Sequence, residues 1–304
     1  MTMNDIAERQ NTPHFLRLLR ARSEIYRRAT HLQLVQVTLT VVVPVVMAIV
    51  ALFMPAIRPV AAAVSVSLTL IDIGFLDRAL KRRLKTAALI CERFDCDLLK
   101  LPWSKFAAGK PLEPEIIAEA DRRWPKGDAK LIDWYPAAVG RAPLHLARII
   151  CQRTNLWYDA KLRENYSFLL VAGAVAIVLA LVAAGLALNL PFTDFVVTVL
   201  VPATPVLSWA VRDAFRQRDA ADAQKLAHAE AEALWELALA GGCDDSECER
   251  RSREFQNSIF QRRTSNPLLL PFVYHWLRSG MEIDMNLGAA DFLRQAGIAE
   301  VNQS

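Results

Sequence analysis

The chain has 304 residues, 53% of them hydrophobic, and a formal net charge of +4 at pH 7. Mean hydropathy is +0.20, and the apolar residues are bunched into long uncharged runs, which excludes an ordinary soluble globular protein. The small positive excess is a membrane-topology signal and not the footprint of a nucleic-acid polymer.

Residues 1–31 are predicted as a cytoplasmic amphipathic helix. Thr12 stands at its N-cap and Pro13 at its first helical position, while Phe15, Leu18, Leu19, Ile25, Tyr26 and Ala29 recur at helical spacing. No signal peptide is present, so the first span is the expected insertion signal. A first transmembrane hairpin covers 32–76. Its first span has 26 uncharged residues from Leu32 to Ile57, and its second has 18 from Pro59 to Leu76 with Asp72 as the one charge. A spanning helix needs roughly 20 mostly apolar residues.

Residues 77–166 form a cytoplasmic helical segment. Leu76, Leu80 and Leu84 mark a helix that Pro102 ends, Pro114 starts a shorter one, "DWYP" (Asp133 to Pro136) makes an aromatic corner, and a further helix starts at Pro143. The second hairpin covers 167–211, on uncharged runs of 29 residues (Asn165 to Thr193) and 17 residues (Phe195 to Val211). Residues 212–304 hold an Ala- and Glu-rich helix ending at Gly241-Gly242, a helix around Glu249 to Arg263, the Pro-interrupted stretch "NPLLLPFVYHWL", and a short last helix near Ala289 to Ala296. No β-alternation appears. The fold class is all-α: four transmembrane helices in two hairpins plus a cytoplasmic helical bundle. No stop signal separates the spans from their cytoplasmic helices. From Phe195 to Ala240, 46 residues would reach about 69 Å as one helix.

Flanking cations set the orientation. Five Arg lie in the twenty residues before the first span and six Lys or Arg in the twenty after the second; four precede the third and four follow the fourth, while the hairpin turns hold only Arg58. Both termini and the middle segment are expected in the cytoplasm, with the hairpins in a bacterial inner membrane.

The stretch "RIICQRTNLWYDAKLREN" (Arg148 to Asn165) leads into the third span. On a helical wheel Arg148, Gln152, Asn155, Asp159 and Arg163 fall within about 80° of one another. Apolar residues flank the row on both sides: Leu144, Cys151, Tyr158 and Leu162 on one, Ile149 and Leu156 on the other. Arg153, Trp157, Lys161 and Glu164 point away and are expected on the solvent side. A polar row inside an apolar face has to meet partners. One reading is another helix of the same chain, with Asp159 pairing Arg163 and Glu92 or Asp95 meeting Arg148. The other is a polar ligand. Arg148 and Arg163 suit phosphates, Gln152 and Asn155 suit base edges, and Tyr158 or Trp157 offers a stacking face. The ligand-binding candidates are Arg148, Gln152, Asn155, Tyr158, Asp159 and Arg163.

In the second span Arg58, Ser65, Thr69 and Asp72 share one face. An intramembrane Asp is a functional candidate by default, so Ser65, Thr69 and Asp72 are candidates for a water path; Asp72 could equally reach headgroup water. Ala172, Ala176, Ala180 and Ala184 form a small-residue row suited to close helix packing. Pro44, Pro202 and Pro205 are candidate kinks. No phosphate loop, nucleophile elbow or paired-carboxylate motif is present, and the five His lack metal spacing. The five Cys fit free thiols in a reducing compartment. No catalytic residue, metal or cofactor is expected.

"ERQN" (Glu8 to Asn11), "CERFDCDLLKLPW", "DWYP", "ICQRTNLWYDAKLREN" and "FQNSIFQRR" together resemble the four-transmembrane effectors associated with SMODS nucleotide synthases, of CBASS-type anti-phage systems. The resemblance runs from Glu8 to about Arg278. It implies a non-enzymatic membrane effector regulated by a cyclic di- or trinucleotide from a cognate nucleotidyltransferase. Binding would lead it to disrupt the membrane, by pore formation or otherwise, and halt the infected cell. Four spans are too few to enclose a wide pore, so a homo-oligomer is expected. The rival readings are a small ligand-gated channel or transporter with a non-defence stimulus, using Asp72, and a membrane scaffold that recruits a protein partner.

Overall fold

The computed structural model describes residues 3–298, apart from the side chains at 48, 51, 52, 55, 58, 198, 202, 272, 274, 275, 278 and 279; Arg58 therefore lies outside the described side chains. No described residue lies in a strand, so the chain is all-α as expected.

Four long helices form the frame. After the short α1 (Ile6–Arg9), α2 covers 13–53 without a break: Pro13–Val37, a π-helical turn Thr38–Val42, then Val43–Phe53. Helix α3 covers 58–99 as Arg58–Ile71, a π-helical turn Asp72–Leu76, and Asp77–Leu99. Two short pieces follow, α4 (Lys105–Ala108) and α5 (Pro114–Arg122). Helix α6 is Leu144–Ala187. Helix α7 covers 192–239 as Phe192–Phe195, a π-helical turn Val196–Leu200, and Val201–Leu239. The last helices among the described residues are α8 (Asp245–Ser265) and α9 (Pro271–Gln295).

Among the described residues, three helices are long and apolar enough to cross a membrane: Pro13–Met47, Pro59–Leu99 and Leu144–Ala187. The fourth uncharged run is the first part of α7, which packs along α6. Each apolar run continues without interruption into a helix of the polar bundle. The prolines explain two of the π turns. Pro44 has no N–H for the Thr40 carbonyl and its ring would strike it, so the turn over Thr38–Val42 widens by a residue and the helix goes on. Pro202 stands in the same relation to the turn Val196–Leu200, and Pro205 is absorbed within the helix. The third π turn begins at Asp72 and contains Gly74, with no proline to account for it.

In the second hairpin, Gly185 is buried and a Cβ there would lie 2.5 Å from the Phe195 ring, so glycine is required for this close approach. Ala174 is also buried on this side. The row Ala172, Ala176, Ala180 and Ala184 is instead exposed. Those alanines allow close packing as a matter of size, but the α6–α7 seam uses the opposite side of the helix.

Outside the membrane, one apolar core joins the helices except α4, whose Ala108 packs in a smaller cluster with Ala88, Leu89 and Phe260. Leu19 of α2, Phe94 of α3, Ile149 and Leu156 of α6, Trp235 of α7 and Ile259 of α8 are each almost wholly buried. Phe94 meets Phe15 edge-on at 5.6 Å and stacks near Tyr135 at 6.4 Å between ring centres. Burial of such large side chains contributes about 1.5–3 kcal/mol each. Helix α8 lies against α3 and α6, and α9 leans on α6. Helix α9 is far longer than the short terminal helix expected. Pro271 occupies its first turn, where a missing N–H costs nothing, so this proline starts a helix where the sequence pattern reads as an interruption.

Candidate functional site

A buried polar network ties α3, α6, α8 and the 133–136 corner together. Glu92 and Asp95 are one turn apart on α3 and almost fully buried. Buried carboxylates demand partners, and α8 supplies them. Arg253 Nη2 donates to Glu92 Oε1 at 2.5 Å and Arg263 Nη1 to Asp95 Oδ2 at 2.6 Å. Gln256 Nε2 lies 2.9 Å from both Glu92 Oε2 and Asp95 Oδ2. Tyr135 donates its hydroxyl to Asp95 Oδ1 at 2.8 Å. Burial pushes that hydroxyl well above the ordinary tyrosine range, with the Asp95 charge adding to the effect, so it stays a donor. Tyr135 is held in turn by Gln10, which accepts from its N–H at 2.8 Å and donates to its carbonyl at 3.0 Å. Next to it, Asn11 accepts from the Asp133 N–H, where φ is +52°.

The polar row of α6 meets this same structure. Arg148 donates to the Leu99 carbonyl (2.7 Å), the Lys100 carbonyl (2.8 Å) and Glu249 (3.0 Å). It thus caps the C-terminus of α3, where Lys100 turns left-handed and carbonyls lack helical partners. Gln152 donates to the Ser252 carbonyl (2.8 Å) and to Gln256 Oε1 (3.2 Å). Asp159 accepts from Arg163 (2.8 Å) and Gln224 (2.5 Å). Arg163 also donates to Gln217 (2.7 Å) and the Pro267 carbonyl (2.9 Å). Asn155, within the row, and Tyr158, beside it, are half-buried. The Asp159–Arg163 pair matches the intrachain alternative. Glu92 and Asp95 do not meet Arg148; they lie on the far side of α8's Gln256. The expected solvent side also differs. Arg153 pairs with Glu232, and Glu164 with Lys225, both on α7.

Where the apolar runs end, the connector 266–270 is gripped by three of the long helices. Gln33 of α2 donates to the Leu268 carbonyl at 3.0 Å, Gln217 of α7 to the same oxygen at 3.3 Å, and Arg163 of α6 to Pro267. Asp213 is buried here with one carboxyl oxygen lacking a hydrogen bond. Burial raises its pKa, against the pull of Arg216 and its hydrogen-bonding neighbours. Inside the membrane region, Asp72 accepts a 2.7 Å hydrogen bond from Gln36, joining the two spans of the first hairpin. Ser65 and Thr69 donate back to the carbonyls four residues earlier, Ala61 and Ser65.

The sequence pattern missed Glu92, Asp95, Arg253, Gln256 and Arg263 as a single unit. Glu92, Asp95, Gln256 and Arg263 belong to the quoted motifs, and so do Gln10, Tyr135 and Gln152, while Arg253 lies two residues before one of them. Those motifs meet in space, which is the signal that would have found the network.

The fold is that of an all-α membrane protein whose spanning helices are rooted in a polar-networked helical bundle. The chain matches the SMODS-associating 4TM effector domain over residues 4–292 and belongs to that family. A probable CBASS effector molecule of Bacillus cereus (strain VD146) is 20% identical over 284 residues, covering 89% of this chain and 92% of the relative. No solved structure matches the chain.

Proposed function

We propose that the protein is a membrane effector of a cyclic-oligonucleotide anti-phage system, residing in the bacterial inner membrane with both termini in the cytoplasm. A cyclic di- or trinucleotide from a cognate nucleotidyltransferase switches it, and copies assemble to breach the membrane. The observation that carries this reading is the absence of any joint between spans and bundle: α2, α3, α6 and α7 each pass unbroken from an apolar run into the polar network. A rearrangement of α8 would therefore move the spans as levers. Family membership and the printed name of the Bacillus relative support the defence role. The exposed alanine row on α6 is a surface on which copies could approach closely. In this reading the row Arg148 to Arg163 carries movement from α8 to the second hairpin.

Dye-loaded liposomes containing the purified protein test the proposal. Addition of the correct cyclic nucleotide is expected to release dye, with oligomers appearing on cross-linking. A panel of cyclic di- and trinucleotides that neither releases dye nor shifts the melting temperature would overturn it.

A further inference from the structure

Among the described residues, the arginines without a partner are, with one exception, exposed ones such as Arg78, Arg82 and Arg122. Among the described residues, Arg22 is the one buried or half-buried arginine with neither a hydrogen-bond acceptor nor an ion-pair partner, and its Nε is fully shielded. Its guanidinium lies 4.2 Å from the Trp134 ring centre and 5.2 Å from that of Tyr26. These contacts cover faces of the group and leave its Nε without an acceptor. Arg22 lines a cavity of about 10 Å³ together with Asp95, Arg263, Trp134 and apolar residues of α2 and α3. That volume holds roughly one water-sized atom. The charged lining is two arginines against one carboxylate, so the cavity carries an excess positive charge.

A half-buried guanidinium whose shielded Nε lacks an acceptor is a costly arrangement for packing alone. A methionine would fill the same space without the charge. A fork with aromatic plates beside it is instead suited to a planar or tetrahedral oxyanion. We propose that Arg22 and Arg263 form a phosphate-binding site at the junction of α2, α3 and α8, with Trp134 as the adjoining aromatic plate. The site rests on the reading of the protein as a nucleotide-switched effector and gives that reading a location. The cavity as it stands admits one oxygen-sized atom. A phosphate enters by taking the place of the Asp95 carboxylate on Arg263. The exchange removes one of the two ion pairs that hold α8 to α3 and frees α8 to shift. That shift reaches the connector 266–270, which α2, α6 and α7 grip where their apolar runs end.

The test uses the full chain in detergent, titrated by calorimetry and thermal shift with two kinds of probe: inorganic phosphate, and a panel of cyclic di- and trinucleotides. Wild type is expected to bind at least one probe. Arg22→Gln should weaken that binding tenfold or more, while the exposed-site control Arg216→Gln binds as wild type. If Arg22→Gln does not fold, Arg22→Lys keeps the charge but not the fork and is expected to lose about tenfold. Binding of a cyclic nucleotide that is equal in wild type and in the Arg22 variants would overturn the site and leave the proposed function standing. Arg22-dependent binding of phosphate with no response to any cyclic nucleotide would keep the site and overturn the proposed ligand class. No binding of either probe by wild type would overturn the site.

Discussion

Arg148→Ala is the sharpest test of how the polar row works. The side chain is about 5% exposed and fills three acceptors, two of them backbone carbonyls at the end of α3. Truncation leaves the Leu99 and Lys100 carbonyls without their donor. An unsatisfied buried polar group costs about 1–3 kcal/mol, so the pair costs about 4 kcal/mol. Glu249 is 45% exposed and can return to water, so its lost ion pair adds less than about 1 kcal/mol. For an extramembrane bundle of this size, each kcal/mol moves the melting temperature by roughly 2–4 °C, which gives a fall of roughly 8–16 °C. Arg148→Lys keeps the charge but not the planar fork that spans the Leu99 and Lys100 carbonyls, and should recover about half. The assay is thermal unfolding of the detergent-solubilised protein, followed by tryptophan fluorescence. A fall of less than about 3 °C for Arg148→Ala would refute the capping argument. If that stable variant also lost its response to nucleotide, the row would be a ligand site.

Tyr135→Phe removes one donor from the Asp95 carboxylate and should destabilise by about 1.5–3 kcal/mol, read as a lower midpoint in denaturant with unchanged slope. Asp213 has a raised pKa in the folded state, so the folded protein favours its protonated form. Its contribution to stability is present at low pH and is lost as pH rises from the unfolded value near 3.8 through the folded pKa. Asp213→Asn should therefore raise the melting temperature at pH 7–8 and flatten that part of the pH profile; an unchanged profile would refute the assignment. Asp72→Val should cost about 0.6–1.7 kcal/mol by removing the Gln36 hydrogen bond, whereas Asp72→Asn should be close to neutral. Equal losses for the two variants in micelle unfolding would mean that the charge matters in its own right.

Helix content and membrane insertion were legible because they depend on local quantities. Run length, charge and proline position say where a helix can lie in lipid and where it begins, and the Leu32 to Ile57 and Asn165 to Thr193 runs needed nothing more. Proline is legible only in part: Pro13 starts a helix as its place after Thr12 implies, but Pro271 starts one where the sequence pattern implies a break, because the same residue serves either role depending on which turn it occupies. The helical wheel of α6 showed that a polar row had to be met, since the energy of burial follows from residue type and spacing. It could not say by what.

The identity of the partners was decided by the tertiary structure. Arg148 finds a helix terminus 49 residues earlier, and Asp95 finds Arg263 168 residues later. Alignments of that kind depend on how whole helices lie across one another, and no local periodicity records them. The same holds for the outward-facing alanines of α6 and for unpaired Arg22. Size and charge are properties of the sequence, while the side of a helix that is covered, and the cation left without a counter-charge, are properties only of the assembled bundle.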